Sequence, residues 1–197
     1  MSNTDRIPFL DLVDLHRPLE AEFQEVFLQA VRTGRFIGGP EVEGFENEFA
    51  EFCGTGYCIG VNSGTDALRF ALTGLGIGEG EVVITAAHTF IATSEAISQV
   101  GAVPEFLDVD PVSYNLDPFL LREYLENSCT RDKASGQVFR KSDGRRVGCV
   151  IPVHLYGQPA DMDPIHEAAS EFGLEVLEDS CQAHGAEYLS SAGGTWK

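Results

Sequence analysis

Apolar and polar positions change period several times along this chain, and each change predicts an element. From Leu19 to Val31 the apolar residues Leu19, Phe23, Val26, Phe27, Ala30 and Val31 recur at helical spacing. Pro18 suits a first helical turn and Gly34 stops the run. A short extended lead-in, Ile7 to Leu12, is expected before it. Phe36-Ile37-Gly38-Gly39-Pro40 reads as a turn-rich link. A second helix then carries Val42, Phe45, Phe49 and Phe52 on one face and ends near Gly54, and its aromatic stripe is expected to be core. Beyond it the pattern shortens. Tyr57–Val61, Glu81–Thr85, Pro104–Asp108, Val147–Val153 and Leu174–Leu177 each predict a strand. Helical spacing returns between them: Ala67 to Leu75, a stretch through Ala96, Ile97 and Val100, a helix capped by Asp117 with Pro118 at its first position, and one from Asp163-Pro164 to Gly173. Strands and helices in alternation argue for an α/β fold with a mainly parallel sheet.

Residues 127–146 break the alternation. The segment is polar, and Arg131, Lys133, Arg140, Lys141, Arg145 and Arg146 are six of the chain's 13 basic residues. It reads as a surface excursion, a hairpin around Gly136 and Gly144, either a solvated loop or a patch for a negatively charged partner. The chain as a whole has 197 residues, enough for one domain and the start of another, and a formal charge of −18. That charge argues against nucleic acid and anionic membrane as partners. None of the five cysteines has zinc-ligand spacing, so no metal site is expected and the thiols read as reduced, in a cytoplasmic protein. Met1 to Leu15 holds Asp5, Asp11 and Asp14 and lacks the apolar run of a signal peptide, and no run approaches membrane-spanning length.

Three stretches carry candidate chemistry, each just after a predicted strand, where open α/β sheets bind ligands. Asn62-Ser63-Gly64-Thr65-Asp66 lies between a strand and a helix. Free N–H groups at such a helix start favour an anion, Gly64 lets backbone approach closely, and Ser63 and Thr65 add hydroxyls. The stretch reads either as a phosphate cradle or as a plainly N-capped helix; it lacks the Lys-Ser/Thr ending of a P-loop. Phe90 is either a core residue or a platform for a flat cofactor. Glu178 and Asp179 end the last strand, and Asp179 either caps the next turn or holds a proton on a heterocyclic nitrogen. A phosphate cradle, an aromatic platform and an acid for a ring nitrogen together suit pyridoxal phosphate better than a nucleotide.

The stretches Ile7-Pro8-Phe9, Gly60 to Leu68, Thr89 to Thr93, Pro152 to Gly157 and Glu178 to Gly185 carry a resemblance. In that order, from about residue 7 to about residue 188, the chain resembles the DegT/StrS family of pyridoxal-phosphate sugar aminotransferases. The resemblance implies the large domain of the aspartate-aminotransferase fold (fold type I) over residues 36–197, after an N-terminal segment and helix over residues 1–35. It implies that Gly64 and Thr65 bind the cofactor phosphate, that Phe90 stacks on the pyridine ring, that Asp179 keeps the ring nitrogen protonated, and that Gln182 lies near the ring and its phenolic oxygen. The implied reaction moves an amino group, usually from glutamate, to a keto group of a nucleotide-linked sugar, in a homodimer.

The chain departs from that pattern in three places. The family's Schiff-base Lys lies well past the Glu-Asp-x-x-Gln motif, so no catalytic residue is expected here and the large domain is expected to be incomplete, with the small C-terminal domain absent. Lys197 sits in an unrelated context, and Leu189 to Lys197 replaces a basic, Gly-containing turn. Residues 127–146 are longer than in many members. A fragment, inactive alone, is the resulting expectation, with exposed apolar faces and an unpaired sheet edge. A dehydratase of the same family and a non-catalytic partner-binding remnant stand as alternatives. His88, His154, Tyr156 and Tyr188 are open between substrate contact and structural roles.

Overall fold

A computed structural model describes Ile7 and residues 9–196, with Trp196 as backbone only. Pro8 of the lead-in motif and Lys197 lie outside the described residues. The chain divides into two compact units between Glu48 and Phe49.

In the first unit, Asp11 ends the extended lead-in early. Its carboxylate accepts from the Asp14 N–H at 2.9 Å and caps a short helix, α1 (Leu12–His16). A 3₁₀ turn holding Pro18 leads into α2 (Glu20–Thr33), which Gly34 stops in the left-handed region at φ 66°. No residue of α1 or α2 is buried, so the apolar spacing makes these helices amphipathic without enclosing them. α3 (Pro40–Cys53), which runs across the division at Glu48, follows as predicted, but its aromatic stripe is not core. Phe45 and Phe52 are exposed, and Ala50 alone is buried along the helix.

The second unit is built on a six-stranded sheet. β1 (Val82–Ala86), β2 (Val103–Leu107), β5 (Arg146–Ile151) and β6 (Glu175–Val176) are mutually parallel. The order is β2-β1-β5, with β6 on the far edge of β5. Four helices flank the sheet: α4 (Gly64–Gly74), α5 (Ile91–Gln99), α6 (Pro118–Ser128) and α7 (Met162–Phe172). Side chains alternate between two cores. Val82, Ile84, Val147 and Val150 pack with Leu121 of α6 and Ile165 and Ala169 of α7. Val83, Cys149 and Ile151 pack with Leu72 of α4 and Ile97 of α5. Helices cover both faces of the sheet, which is why β1 and β5 read as unbroken apolar runs. Burial in this core pushes the Cys149 thiol up to about 12. The β1–β5 register slips between Val82 and Val83, so that Gly148 is passed over. A Cβ there would stand 2.7 Å from Ile77 Cδ1, a contact that excludes any larger residue without repacking.

Two expectations change here. Tyr57–Val61 forms no strand and joins neither sheet, and Tyr57 and Ile59 are 91% and 79% exposed. Such a stretch gains nothing from its β-forming residues until a neighbouring strand supplies the ladder, and none of the described strands pairs with it. The 127–146 excursion is more than a loop. It forms the predicted hairpin, β3 (Cys129–Arg131) with β4 (Val138–Arg140), and Val138 pairs with Val147 to join it to the main sheet. Two of its basic residues are engaged within the fold: Arg140 bonds Glu105 and Asp143, and Arg146 bonds Glu81. The end of the chain forms a small hairpin of β7 (Tyr188–Leu189) and β8 (Thr195–Trp196).

Among the described residues, no helix is long and apolar enough to cross a membrane, and no cluster of three His, Cys, Asp or Glu could hold a metal ion.

Candidate functional site

Because β1, β2, β5 and β6 are parallel, their carboxyl ends open on one side, and the loops that follow them meet there. Asp179 lies just past β6 and is 7% exposed. Its backbone is fixed at both polar groups: its N–H donates to Pro152 O at 2.9 Å, and its carbonyl accepts from His154 N–H at 3.0 Å. The carboxylate is fixed as well. Oδ2 accepts from the Thr93 hydroxyl at 2.8 Å, and Oδ1 accepts from Cys181 N–H at 3.3 Å. The second bond makes Asp179 the cap of the following turn, one of its two sequence readings. The first fixes the other carboxylate oxygen to the start of α5.

Thr93 was not singled out by the sequence. It sits one turn into α5, three residues after Phe90, and is 1% exposed. Its hydroxyl also lies 2.9 Å from that of Thr89. Since the Thr93 proton goes to Asp179, Thr89 must be the donor of that bond. The i, i+4 spacing of the two threonines was visible, but their partner, 86 residues away, was not.

Gly64 opens α4. Ser63 is the N-cap, its Oγ accepting from Asp66 N–H at 3.1 Å, so its hydroxyl serves the helix as in the plain-cap reading. The first intrahelical bond is Ala67 N–H to Ser63 O, 3.0 Å. The amides of Gly64 and Thr65 precede it and stay free for an anion at the positive end of the helix. A Cβ on Gly64 would lie 2.9 Å from the Cys181 sulfur, so the chain comes as close there as glycine allows. Gly64, Leu68, Phe49, Asp179, Cys181 and His184 line one cavity of about 440 Å³. The structure therefore brings Gly64 and Asp179 together, and Cys181 lies between them. Burial first, and then its hydrogen bond to the Asp179 carboxylate, push the Cys181 thiol up to about 11. It is a poor nucleophile at neutral pH.

Phe90 is not core. It precedes α5 in extended conformation, and its ring is 68% exposed. Gln182 is exposed too, and its Oε1 accepts from Tyr156 N–H at 2.8 Å. The oxygen is thereby used, and the amide NH₂ remains the donor end. Thr65, Phe90 and Gln182 stand outside the cavity that Gly64 and Asp179 line.

The four open residues separate cleanly. His154 is 5% exposed and fully occupied: Nδ1 accepts from Ala160 N–H at 3.0 Å, and Nε2 meets Glu178 Oε2 at 2.9 Å. The Nδ1 contact puts the imidazole proton on Nε2, so His154 donates to Glu178 and holds that carboxyl below its ordinary range. Tyr188 is equally engaged, donating to Asp161 at 2.7 Å and accepting from Asp163 N–H at 3.3 Å at the start of α7. Both are structural. His88 and Tyr156 are exposed.

The chain is similar to known proteins throughout its length. Residues 18–196 match the profile of the DegT/DnrJ/EryC1/StrS aminotransferase family. A dTDP-3-amino-3,4,6-trideoxy-alpha-D-glucose transaminase of Streptomyces venezuelae is 43% identical over 187 residues, 95% of this chain and 45% of that protein. A UDP-2-acetamido-2-deoxy-3-oxo-D-glucuronate aminotransferase of Pseudomonas aeruginosa is 39% identical over 92% of this chain and 46% of its own length. Among solved structures, S. venezuelae DesV in complex with a ketimine intermediate superposes with a TM-score of 0.81 at 43% identity, covering 93% of this chain and 44% of that one. NtdA from Bacillus subtilis with bound cofactor PMP gives 0.77 at 31% identity, covering 91% and 38%. The chain thus spans less than half the length of each of these relatives.

Proposed function

Since the chain belongs to the DegT/DnrJ/EryC1/StrS aminotransferase family, we propose that it is the cofactor-holding part of an enzyme that moves an amino group from an amino acid, glutamate, to a keto carbon of a nucleotide-linked sugar. The relatives' names support the substrate class: they are transaminases of dTDP- and UDP-linked sugars. The cofactor is pyridoxal 5′-phosphate, which supplies an electron sink when its ring nitrogen is protonated. The residues of this chain fit it. The free amides of Gly64 and Thr65 take the phosphate, and the missing Cβ at Gly64 is the space it approaches. Asp179 holds a proton at the pyridine nitrogen, Phe90 offers its exposed ring to the cofactor face, and the Gln182 NH₂ donates toward the phenolic oxygen. The five free cysteines support a cytoplasmic protein, and the solvent-facing apolar residues of α2 support pairing of the full-length protein as a homodimer.

One observation supports this reading above the others. A buried carboxylate, fixed by the Thr93 hydroxyl and by Cys181 N–H, lines the same cavity as the start of α4. Equilibrium dialysis against pyridoxal phosphate tests it. Asp179→Asn removes a negative charge, which by itself would favour an anionic ligand, so weaker binding by this variant identifies a specific contact. Asp163→Asn, at the start of α7 and outside that cavity, serves as the control. Equal affinity of wild type and Asp179→Asn would sink the proposal.

A further inference from the structure

Three exposed rings meet above the sheet, and the cavity described above accounts for none of them. The sheet order is β2-β1-β5, and the loops after these strands carry Tyr114, His88 and Tyr156 in the same spatial sequence. His88 is in the middle. Its ring centroid lies 6.2 Å from that of Tyr114 and 6.2 Å from that of Tyr156, the latter edge-on at 71°. The Tyr156 hydroxyl stands 3.5 Å from His88 Nε2. Both tyrosines sit in left-handed backbone, Tyr114 at φ 61° and Tyr156 at φ 57°, and they are the only non-glycine residues among those described with positive φ. That conformation is unfavourable for a residue with a Cβ. It is not repaid by burial, because the two side chains remain 53% and 74% exposed. Backbone bonds hold them out instead: Tyr114 N–H donates to Asp110 O at 2.8 Å, and Tyr156 N–H donates to Gln182 Oε1 at 2.8 Å. The Gln182 bond ties the cluster directly to a residue assigned above to the cofactor.

We infer that Tyr114, His88 and Tyr156 form a specificity platform for the hexose ring of the sugar substrate, an inference that rests on the proposed function. The chemistry suits a pyranose. Ring faces take its C–H groups, and two phenol hydroxyls and an imidazole nitrogen donate to and accept from its hydroxyls. A bare apolar partner would waste the polar edges. The position fits too, since the platform lies on the loops after the carboxyl ends of β2, β1 and β5, one hydrogen bond from Gln182.

The probes are dTDP-glucose and dTDP alone, each titrated into this chain in the presence of pyridoxal phosphate and followed by saturation-transfer NMR. The variants are Tyr156→Asn and Tyr114→Asn, in which asparagine tolerates the left-handed backbone, and His88→Ala. Wild type is expected to transfer saturation to the hexose ring protons. Each variant is expected to weaken dTDP-glucose binding about three- to tenfold, as lost aromatic contacts do, and to leave dTDP unchanged. Three results overturn the inference: no binding of dTDP-glucose, variants that bind it like wild type, or equal losses for dTDP alone, which would move the contact to the base. Dialysis separates the two readings. Bound pyridoxal phosphate with unaltered sugar affinity in all three variants removes this inference only. No bound pyridoxal phosphate removes the proposed function and the platform with it.

Discussion

Replacing Thr93 tests the architecture of the acid site without any cofactor. Thr93→Val keeps the shape and removes the hydroxyl that donates to Asp179 Oδ2 at 2.8 Å. Both residues are buried, so water does not readily replace the bond. A hydrogen bond to a charged group contributes about 1.5–3 kcal/mol. The valine variant should therefore lose about 2 kcal/mol of stability. Thr93→Ser keeps the hydroxyl and deletes one buried methyl, for a loss of about 0.8 kcal/mol. In an Asp179→Asn background the partner is neutral, and its bond contributes only about 0.5–1.5 kcal/mol. The valine substitution should accordingly cost about 1 kcal/mol less there than in wild type. Urea unfolding of the four variants and wild type, followed by far-ultraviolet circular dichroism, gives all these differences. The reasoning fails if valine costs no more than serine. It fails equally if Thr93→Val and Asp179→Asn add to within about 0.3–0.5 kcal/mol, the behaviour of uncoupled sites.

Alkylation of Cys181 reports on the same carboxylate. At pH 8 a thiol raised to about 11 reacts slowly, and Asp179→Asn, which removes the second of its causes, should accelerate iodoacetamide labelling of Cys181 measured by peptide mass spectrometry; an unchanged rate would deny the contact. Ile59→Lys should change stability by less than about 0.5 kcal/mol, as expected of an exposed site, whereas Ile165→Ala in the core should cost about 2–5 kcal/mol; a large effect at Ile59 would mean that Tyr57–Val61 is packed after all. Acid should loosen the end of the chain. Asp163, lowered by hydrogen bonds from Ser191 and Ser190, and Glu178, lowered by His154, have folded values below their unfolded ones. Their contributions are complete above the unfolded carboxylate range, about 4, and vanish as pH falls through the lower folded values. Urea midpoints should thus fall as the pH drops below about 4, and Asp163→Asn should flatten that decline; an undiminished slope in the variant would refute the assignment.

Much of the frame was legible from short-range chemistry. Ser63 and Asp117 cap their helices, Gly34 and Gly173 end theirs, and the doubly covered strands β1 and β5 announce themselves as unbroken apolar runs. These signals act over three or four residues, and a sequence displays them directly. Gly64 and Asp179 were both singled out by the sequence as candidates, and the structure places them on one cavity. What the sequence could not contain was the neighbour across the fold. Tyr57–Val61 has every local feature of a strand, yet a strand exists only where a second one accepts its hydrogen bonds. The Phe45 and Phe52 stripe has helical spacing, but spacing says which face is apolar and not what covers it. The Thr93 bond to Asp179, the occupation of both His154 nitrogens, and the meeting of Tyr114 and Tyr156 around His88 join residues far apart in the chain. Side-chain periodicity fixes each of these elements one at a time; only packing the strands in the order β2-β1-β5 brings their loops, and so their chemistry, to one place.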